Sequence, residues 1–305
     1  MSEPLSDLTT TPDWWDTYQG VDAAQAERDI TGQILDAITN HPRSLQKRIG
    51  PSEIGTPCTH CLAARLAGWE KKELGVPWTT TKGTAIHFWL EHLFMDADTR
   101  RPDYVARGHK KRWVCEETVW VGDIGDTPIT GSTDLFDLHA GQTVDWKFVG
   151  QNSLKKYRAK GPSDTYRVQA HLYGRGWERR GCKVNAVSIL FLPAQSAAWG
   201  DHFWWSEPYD EQIALAALER ANHLDKQIRT LRAFAGEEAV TQWISGLDRA
   251  DGCFDCRKYP DYTGGRGVDL RPVKRPSHSH QFFTHTLFLH QQERRDDHDR
   301  HIHHP

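Results

Sequence analysis

Residues 184–192, VNAVSILFL, form a short continuous apolar run, whereas 112–121, RWVCEETVWV, alternates apolar and polar positions and is rich in β-formers. Both patterns predict strands, the first fully buried and the second half-buried. Residues 128–149 read as two strands around a turn at His139-Ala140-Gly141-Gln142, and 202–208 as another strand. Apolar residues three and four apart predict helices elsewhere. Residues 21–39 carry Ile30, Ile34, Leu35 and Ile38 on one face, and Leu62, Ala63, Ala64, Leu66 and Ala67 mark a short helix. Gly83-Thr84 opens a helix over 84–95, with Thr84 as its N-cap. Further helices are expected over 164–180, 211–234 and 237–247. No internal repeat is visible.

Composition narrows the class. The 305 residues suffice for one large domain or two small ones. A net charge of −3 excludes a strongly basic DNA-coating protein and leaves room for one with a local basic groove. Thirteen tryptophans are many; Trp fills cores and interfaces more often than it stacks on bases. There is no run of about 18 apolar residues, so no membrane span is expected. The N-terminus lacks a basic-then-apolar signal pattern, and the chain reads as cytoplasmic. Residues 1–48 are expected to be a polar segment and a helix, with 1–19 loose, and 49–260 the main domain. From about Pro260 Gly, Pro, His and Arg dominate, and eight of the 17 histidines follow residue 270. Residues 261–305 therefore read as a disordered tail, in which adventitious metal binding is the alternative to no role.

The hairpin holds the most informative residues. A two- or four-residue loop centred on Ala140-Gly141 sets Asp134 opposite Lys147, with Asp145 as the diagonal neighbour. Side chains alternate with period two, so Asp134, Asp145 and Lys147 share one face and Trp146 takes the other. A three-residue loop would break this parity. Two adjacent carboxylates repel unless a cation sits between them, and Mg²⁺ or Mn²⁺ prefers such oxygen ligands. The alternative is an exposed sheet face with a cross-strand Asp–Lys pair.

His87 lies in the helix before the hairpin, and Glu91, one turn on, is placed to orient it. In the helix after the hairpin Gln169 and Tyr173 share a face, flanked by Arg167 and Arg175. Lys155, Lys156, Arg158 and Lys160, with Arg167, Arg175, Arg179 and Arg180, supply charge for a phosphate-binding wall or, alternatively, a solvated helix face. Nothing resembles a sequence-reading DNA motif.

In order, the chain carries Gly83-Thr84-Ala85-Ile86-His87, Gly131-Ser132-Thr133-Asp134, Asp145-Trp146-Lys147 and Gln169-Ala170-His171-Leu172-Tyr173. This series resembles the RecB-like branch of the PD-(D/E)XK nuclease superfamily, whose pattern is GxxxH, GxxD, (D/E)xK and QxxxY; the resemblance spans about 49–260. It implies an α/β fold, a restriction-endonuclease-like core in which a mixed sheet is flanked by helices. It implies Mg²⁺- or Mn²⁺-dependent phosphodiester hydrolysis, commonly as an exonuclease on single-stranded or duplex DNA ends. His87, Asp134, Asp145 and the Trp146 carbonyl would be metal ligands and Lys147 the catalytic lysine, with Gln169 and Tyr173 holding DNA. Members serve phage DNA processing, recombination, repair and CRISPR adaptation, some as homo-oligomers. Two alternatives are a non-catalytic DNA-binding subunit of a recombination or CRISPR-adaptation complex, and a structural metal-binding protein.

Cys58-Thr59-His60-Cys61 and Cys253-Phe254-Asp255-Cys256 are CxxC pairs that bracket these motifs. Cytoplasmic thiols stay reduced, which favours a shared metal over disulfides. The resemblance implies a [4Fe–4S] cluster that closes the domain, although the relatives place one cysteine before the core and three after it, against two and two here. By thiolate count a Zn²⁺ site fits equally well. Cys115 and Cys182 read as buried small hydrophobes.

Overall fold

In a computed structural model, which describes residues 22–40, 49–72, 75, 78–101, 106, 108, 110–196 and 198–262, these patterns resolve into one mixed sheet with helices on both faces. The chain divides into two units, 1–266 and 267–305, and every described residue belongs to the first. The expected loose segment 1–19 lies outside the described residues, as does the expected tail beyond Tyr262.

Helices α1 (Ala23–Thr39), α2 (Pro51–Ile54), α3 (Thr59–Leu66) and α4 (Trp78–Thr99) precede strands β1 (Trp113–Ile124), β2 (Thr127–Asp137) and β3 (Gln142–Val149). Then come α5 (Gln151–Lys160), α6 (Asp164–Arg179), β4 (Ala186–Pro193), β5 (Phe203–Pro208) and α7 (Glu211–Ser245). The strands lie side by side in chain order. β3 and β4 are parallel, with α5 and α6 as the crossover; the other neighbours are antiparallel.

Alternation along each strand decides what it meets. Leu135, Val144, Trp146, Leu190 and Leu192 pack under Leu90 and Phe94 of α4. On the other face Val149, Val187, Ile189 and Phe191 meet Leu154 of α5 and Ala170 of α6. Val119, Val121 and Phe136 meet Leu172 and Trp177 of α6 and Leu218 of α7. Each fully buried side chain such as Ile189 or Phe191 contributes about 1.5–3 kcal/mol. Helix α6 comes close because Gly176 has no side chain: a Cβ there would lie 2.7 Å from Val119 Cβ. Gly131 does the same for the site, since a Cβ would lie 2.8 Å from Pro51 Cγ and 3.0 Å from Tyr173 Cε1.

Several expectations change in detail. Helix α4 begins at Trp78, and Thr84 is internal to it, its hydroxyl donating to the Thr80 carbonyl at 3.1 Å rather than capping. A threonine that bonds back within the helix needs no role at its end. Of the α1 stripe only Ile38 is buried; Leu35 is half-buried and Ile30 and Ile34 are exposed. Periodicity fixes a helix's apolar face, not what covers it. Cys115 and Cys182 are half-buried rather than buried. The basic stretch from Lys155 is helical, as α5. The two helices expected on either side of residue 235 meet at Gly236, whose φ of 79° breaks the helix.

The β2–β3 turn also differs. Asp137 Oδ1 accepts from the His139 and Ala140 amides at 2.9 and 3.3 Å, and the Gly141 amide donates to the Asp137 carbonyl at 2.8 Å. Arg112 grips the same carboxylate with two nitrogens. The loop is therefore Leu138–Gly141, centred one residue earlier than expected, and Leu135, Phe136 and Asp137 pair with Val144, Thr143 and Gln142. Continued one step, this register sets Asp134 across from Asp145, not Lys147. A shift of two preserves parity, so Asp134, Asp145 and Lys147 still share a face.

Candidate active site

The site begins with a bulge in β1. Below the Gly125-Asp126 turn the pairs Ile124–Thr127 to Gly122–Ile129 run in one register; beyond it Trp120 pairs with Thr130. Val121 is the extra residue. Arg175 of α6 holds the bulge by donating to the Val121 carbonyl at 2.6 Å. Further along, Cys115–Leu135 and Glu117–Thr133 bracket Glu116, which therefore lies across from Asp134. Glu116 has a φ of 50°, a left-handed conformation that costs a non-glycine residue about 1–2 kcal/mol. The Ser132 hydroxyl donates to its carboxylate at 2.8 Å. Glu116, Asp134 and Asp145 thus form a row of carboxylates across β1, β2 and β3.

At this row β2 and β3 part. The Trp146 amide donates to Asp134 Oδ2 at 2.7 Å, so a side chain replaces the ladder carbonyl. His87 enters from α4, its Nδ1 3.2 Å from Asp134 Oδ1. Ligand atoms of His87, Glu116 and Asp134 all lie within 4.8 Å of one another. Glu116 joins His87 and Asp134 in this group although the sequence did not single it out, and Glu91, expected only to orient His87, is not part of it. Beside it Lys147 Nζ lies 2.5 Å from Asp145 Oδ2 and 4.9 Å from the Tyr166 ring centre. Gln169 donates to Asp145 Oδ1 at 3.1 Å and to the Tyr173 hydroxyl at 3.3 Å. Trp146 points to the other face and stacks on Phe94.

Burial sets the electrostatics. Asp134 and Asp145 are buried. Desolvation raises the Asp145 pKa, against the pull of Lys147 and with the help of Asp134. Burial alone would lower the His87 pKa, but the Asp134 carboxylate, joined by Asp145, outweighs it and raises it. The same contest at Lys147 ends the same way: burial lowers its pKa, Asp145 and Asp134 raise it further, and the ammonium is retained. Burial also pushes the Tyr173 phenol up, with Asp145 and Asp134 adding to it. Three buried polar atoms of the site, His87 Nδ1, Asp145 Oδ2 and Gln169 Oε1, lack a well-directed hydrogen bond, the first two meeting Asp134 and Lys147 as ion pairs instead. His87, Glu116 and Asp134 form a compact donor group suited to a hard divalent cation such as Mg²⁺ or Mn²⁺, and Asp145 lies outside it, held by Lys147 and Gln169.

Several cations of the expected basic wall have partners within the protein. Arg167 pairs with Glu207 at 2.6 Å, and Arg175 with Glu211 at 3.1 Å. Arg179 covers the Trp120 ring, and Arg180 pairs with Glu117. Arg158 donates to the carbonyls of Asp201 and His202. Each of these cations already satisfies a partner of its own. Lys155, Lys156 and Lys160 are exposed on α5, which begins two residues after β3 ends.

The two CxxC pairs meet. Cys58 and Cys61, at the start of α3, lie beside Cys253 and Cys256, and all four sulfurs fall within 4.8 Å of one another. None is disulfide-bonded.

By sequence, no known protein family and no curated protein matches the chain. Among solved structures it is similar to an exonuclease, provisionally so described, from Eubacterium rectale. That similarity has 12% identity, covers 76% of this chain and 94% of the other, and has a TM-score of 0.40. It is also similar to a phage related exonuclease from Haemophilus somnus 129PT, at 16% identity over 50% of this chain and 72% of the other, with a TM-score of 0.32. The fold and the chemistry of the site rest on the sheet, helices and side chains themselves.

Proposed function

We propose that the protein is a metal-dependent DNA exonuclease of the PD-(D/E)XK type. The observation that carries this reading is the row Glu116, Asp134 and Asp145 at the point where β2 and β3 part, with His87 and Lys147 against it. Asp134 and Asp145 are buried, and acids crowded this closely call for positive charge, of which Lys147 supplies one beside Asp145.

His87, Glu116, Asp134, Asp145 and the Trp146 carbonyl would hold Mg²⁺ or Mn²⁺. A divalent ion there supplies charge that acidifies water and neutralises a phosphate. The chain's own groups do the rest. In hydrolysis the water oxygen bonds to phosphorus, the bond from phosphorus to the leaving sugar oxygen breaks, and that oxygen takes a proton. Lys147 stands ready to neutralise charge as it builds on the phosphate, because Asp145 and Asp134 keep it protonated. Gln169 orients Asp145, and Tyr173 backs Gln169. Lys155 and Lys156 offer phosphate contacts that carry no sequence preference.

The test is digestion of end-labelled single- and double-stranded DNA with Mn²⁺. The parent protein is expected to release nucleotides from an end, and Asp145→Ala and Lys147→Ala to release none above background. Equal rates for parent and both variants would overturn the site. Cuts only at internal positions would replace exonuclease with endonuclease.

A further inference from the structure

We propose that Cys58, Cys61, Cys253 and Cys256 hold a single Zn²⁺ ion as a tetrahedral tetrathiolate, and that no [4Fe–4S] cluster fits there. The spacing of the sulfurs decides between the two. Cys58 and Cys256 are 3.5 Å apart, Cys61 and Cys256 3.5 Å, and Cys61 and Cys253 3.6 Å, with every pair inside 4.8 Å. In a regular tetrahedron with edges of this length the centre lies roughly 2.1–2.9 Å from each sulfur, which brackets the zinc–thiolate bond of about 2.3 Å. A four-iron cube sets its thiolates roughly 6 Å apart, because each sulfur stands off a different iron. Every sulfur would have to retreat by an ångström or more.

The backbone opposes that retreat. Cys58, Cys61 and Cys256 are buried in the core formed by α3, α6 and α7. The Tyr259 hydroxyl donates to the Cys61 carbonyl at 3.3 Å, and the His60 amide to the Asp248 carbonyl at 3.1 Å. The Lys72 amide donates to the Lys258 carbonyl at 2.6 Å, so the segments that carry the two pairs are tied together on both sides. His60 Nε2 meets Asp261 at 2.8 Å and its Nδ1 lies 3.9 Å from Cys61 Sγ, so the ring braces one thiolate from outside the group of four sulfurs. Four thiolates around Zn²⁺ carry a net charge of −2. The Arg220 guanidinium, held by the Thr56 carbonyl at 2.7 Å, supplies a positive charge beside Cys58.

The experiment is metal analysis and zinc-edge X-ray absorption on the full chain, purified without a histidine tag or chelator from cells supplied with both iron and zinc. Zinc is expected, with four sulfur neighbours at about 2.3 Å. Replacement by Co²⁺ is expected to give intense sulfur-to-metal charge-transfer absorption that falls to baseline in Cys58→Ser/Cys61→Ser. This readout separates the thiolate site from metal held by the histidines after residue 270. A brown protein with iron and acid-labile sulfide would overturn the proposal. So would a colourless protein whose cobalt form lacks the charge-transfer band, or zinc bound only by nitrogen and oxygen. None of these readings depends on DNA cleavage.

Discussion

Gln169 reaches from α6 to the carboxylate of Asp145 on β3, and its amide nitrogen donates to Oδ1 at 3.1 Å. The same nitrogen contacts the Tyr173 hydroxyl one helical turn on, and its amide oxygen is buried without a hydrogen bond. Gln169 thus sets the angle of a candidate metal ligand. Loss of such a partner typically costs about 10–100-fold in metal affinity. Gln169→Ala is expected to raise the Mn²⁺ concentration for half-maximal cleavage by about that factor. Tyr173→Phe, which leaves the Gln169–Asp145 bond in place, is expected to shift it less. Manganese titrations of the cleavage rate check both.

Glu116 and Glu91 make a second comparison. Glu116 lies across from Asp134 and within 4.8 Å of the His87 and Asp134 ligand atoms. Glu91 lies outside that group. Glu116→Gln is expected to reduce cleavage at limiting Mn²⁺ by about tenfold or more, with partial recovery at high Mn²⁺. Glu91→Gln is expected to stay within about twofold of the parent. The reverse order would remove Glu116 from the site.

Why Glu116 escaped the sequence follows from the bulge. The alternating pattern of RWVCEETVWV makes a strand legible, and Gly125-Asp126 marks its turn. An unbroken hairpin from that turn would set Glu117 across from Asp134; the extra residue Val121 moves Glu116 there. One inserted residue reverses every side chain beyond it, and nothing in the local composition announces it. The parity that groups Asp134, Asp145 and Lys147 survived a two-residue error in register because side chains repeat every two. The pairing of the arginines was hidden for another reason: charge is visible in sequence, but partners such as Glu207 for Arg167 come from a distant strand. The convergence of the cysteine pairs was legible from their bracketing positions, whereas the sulfur spacing exists only in three dimensions.

Lys147 gives a pH-dependent prediction. Burial raises the Asp145 pKa above its unfolded value, and Lys147 limits that rise. A carboxylate with a raised folded pKa favours the fold at low pH, and the benefit is lost as pH climbs from about 4 through the folded value. Lys147→Met removes the opposing charge, so the folded pKa rises further and more stability is lost. Without added divalent metal, the melting temperature of Lys147→Met relative to the parent is expected to fall steadily from pH 5 to pH 8. Thermal scans across that range check it, and a constant or rising difference would mean that Asp145 and Lys147 do not interact in the folded protein.

Salt dependence separates cations available to DNA from those already paired. Lys155 and Lys156 are exposed on α5, directly after the strand that carries Asp145 and Lys147. Arg167 is held by Glu207 at 2.6 Å. Each phosphate contact releases condensed counterions, and the logarithm of affinity falls with the logarithm of salt by about 0.7 to 0.9 per contact. In an Asp145→Asn background, where DNA survives the measurement, Lys155→Ala/Lys156→Ala is expected to reduce that slope by about 1.4 to 1.8. Arg167→Ala is expected to leave the slope unchanged, since a guanidinium neutralised by its own carboxylate displaces no counterion. Fluorescence anisotropy of a labelled oligonucleotide at several salt concentrations distinguishes the cases. A slope that responds to Arg167 but not to the lysines would move the DNA path away from α5 and towards the β5 edge of the sheet, where Glu207 lies.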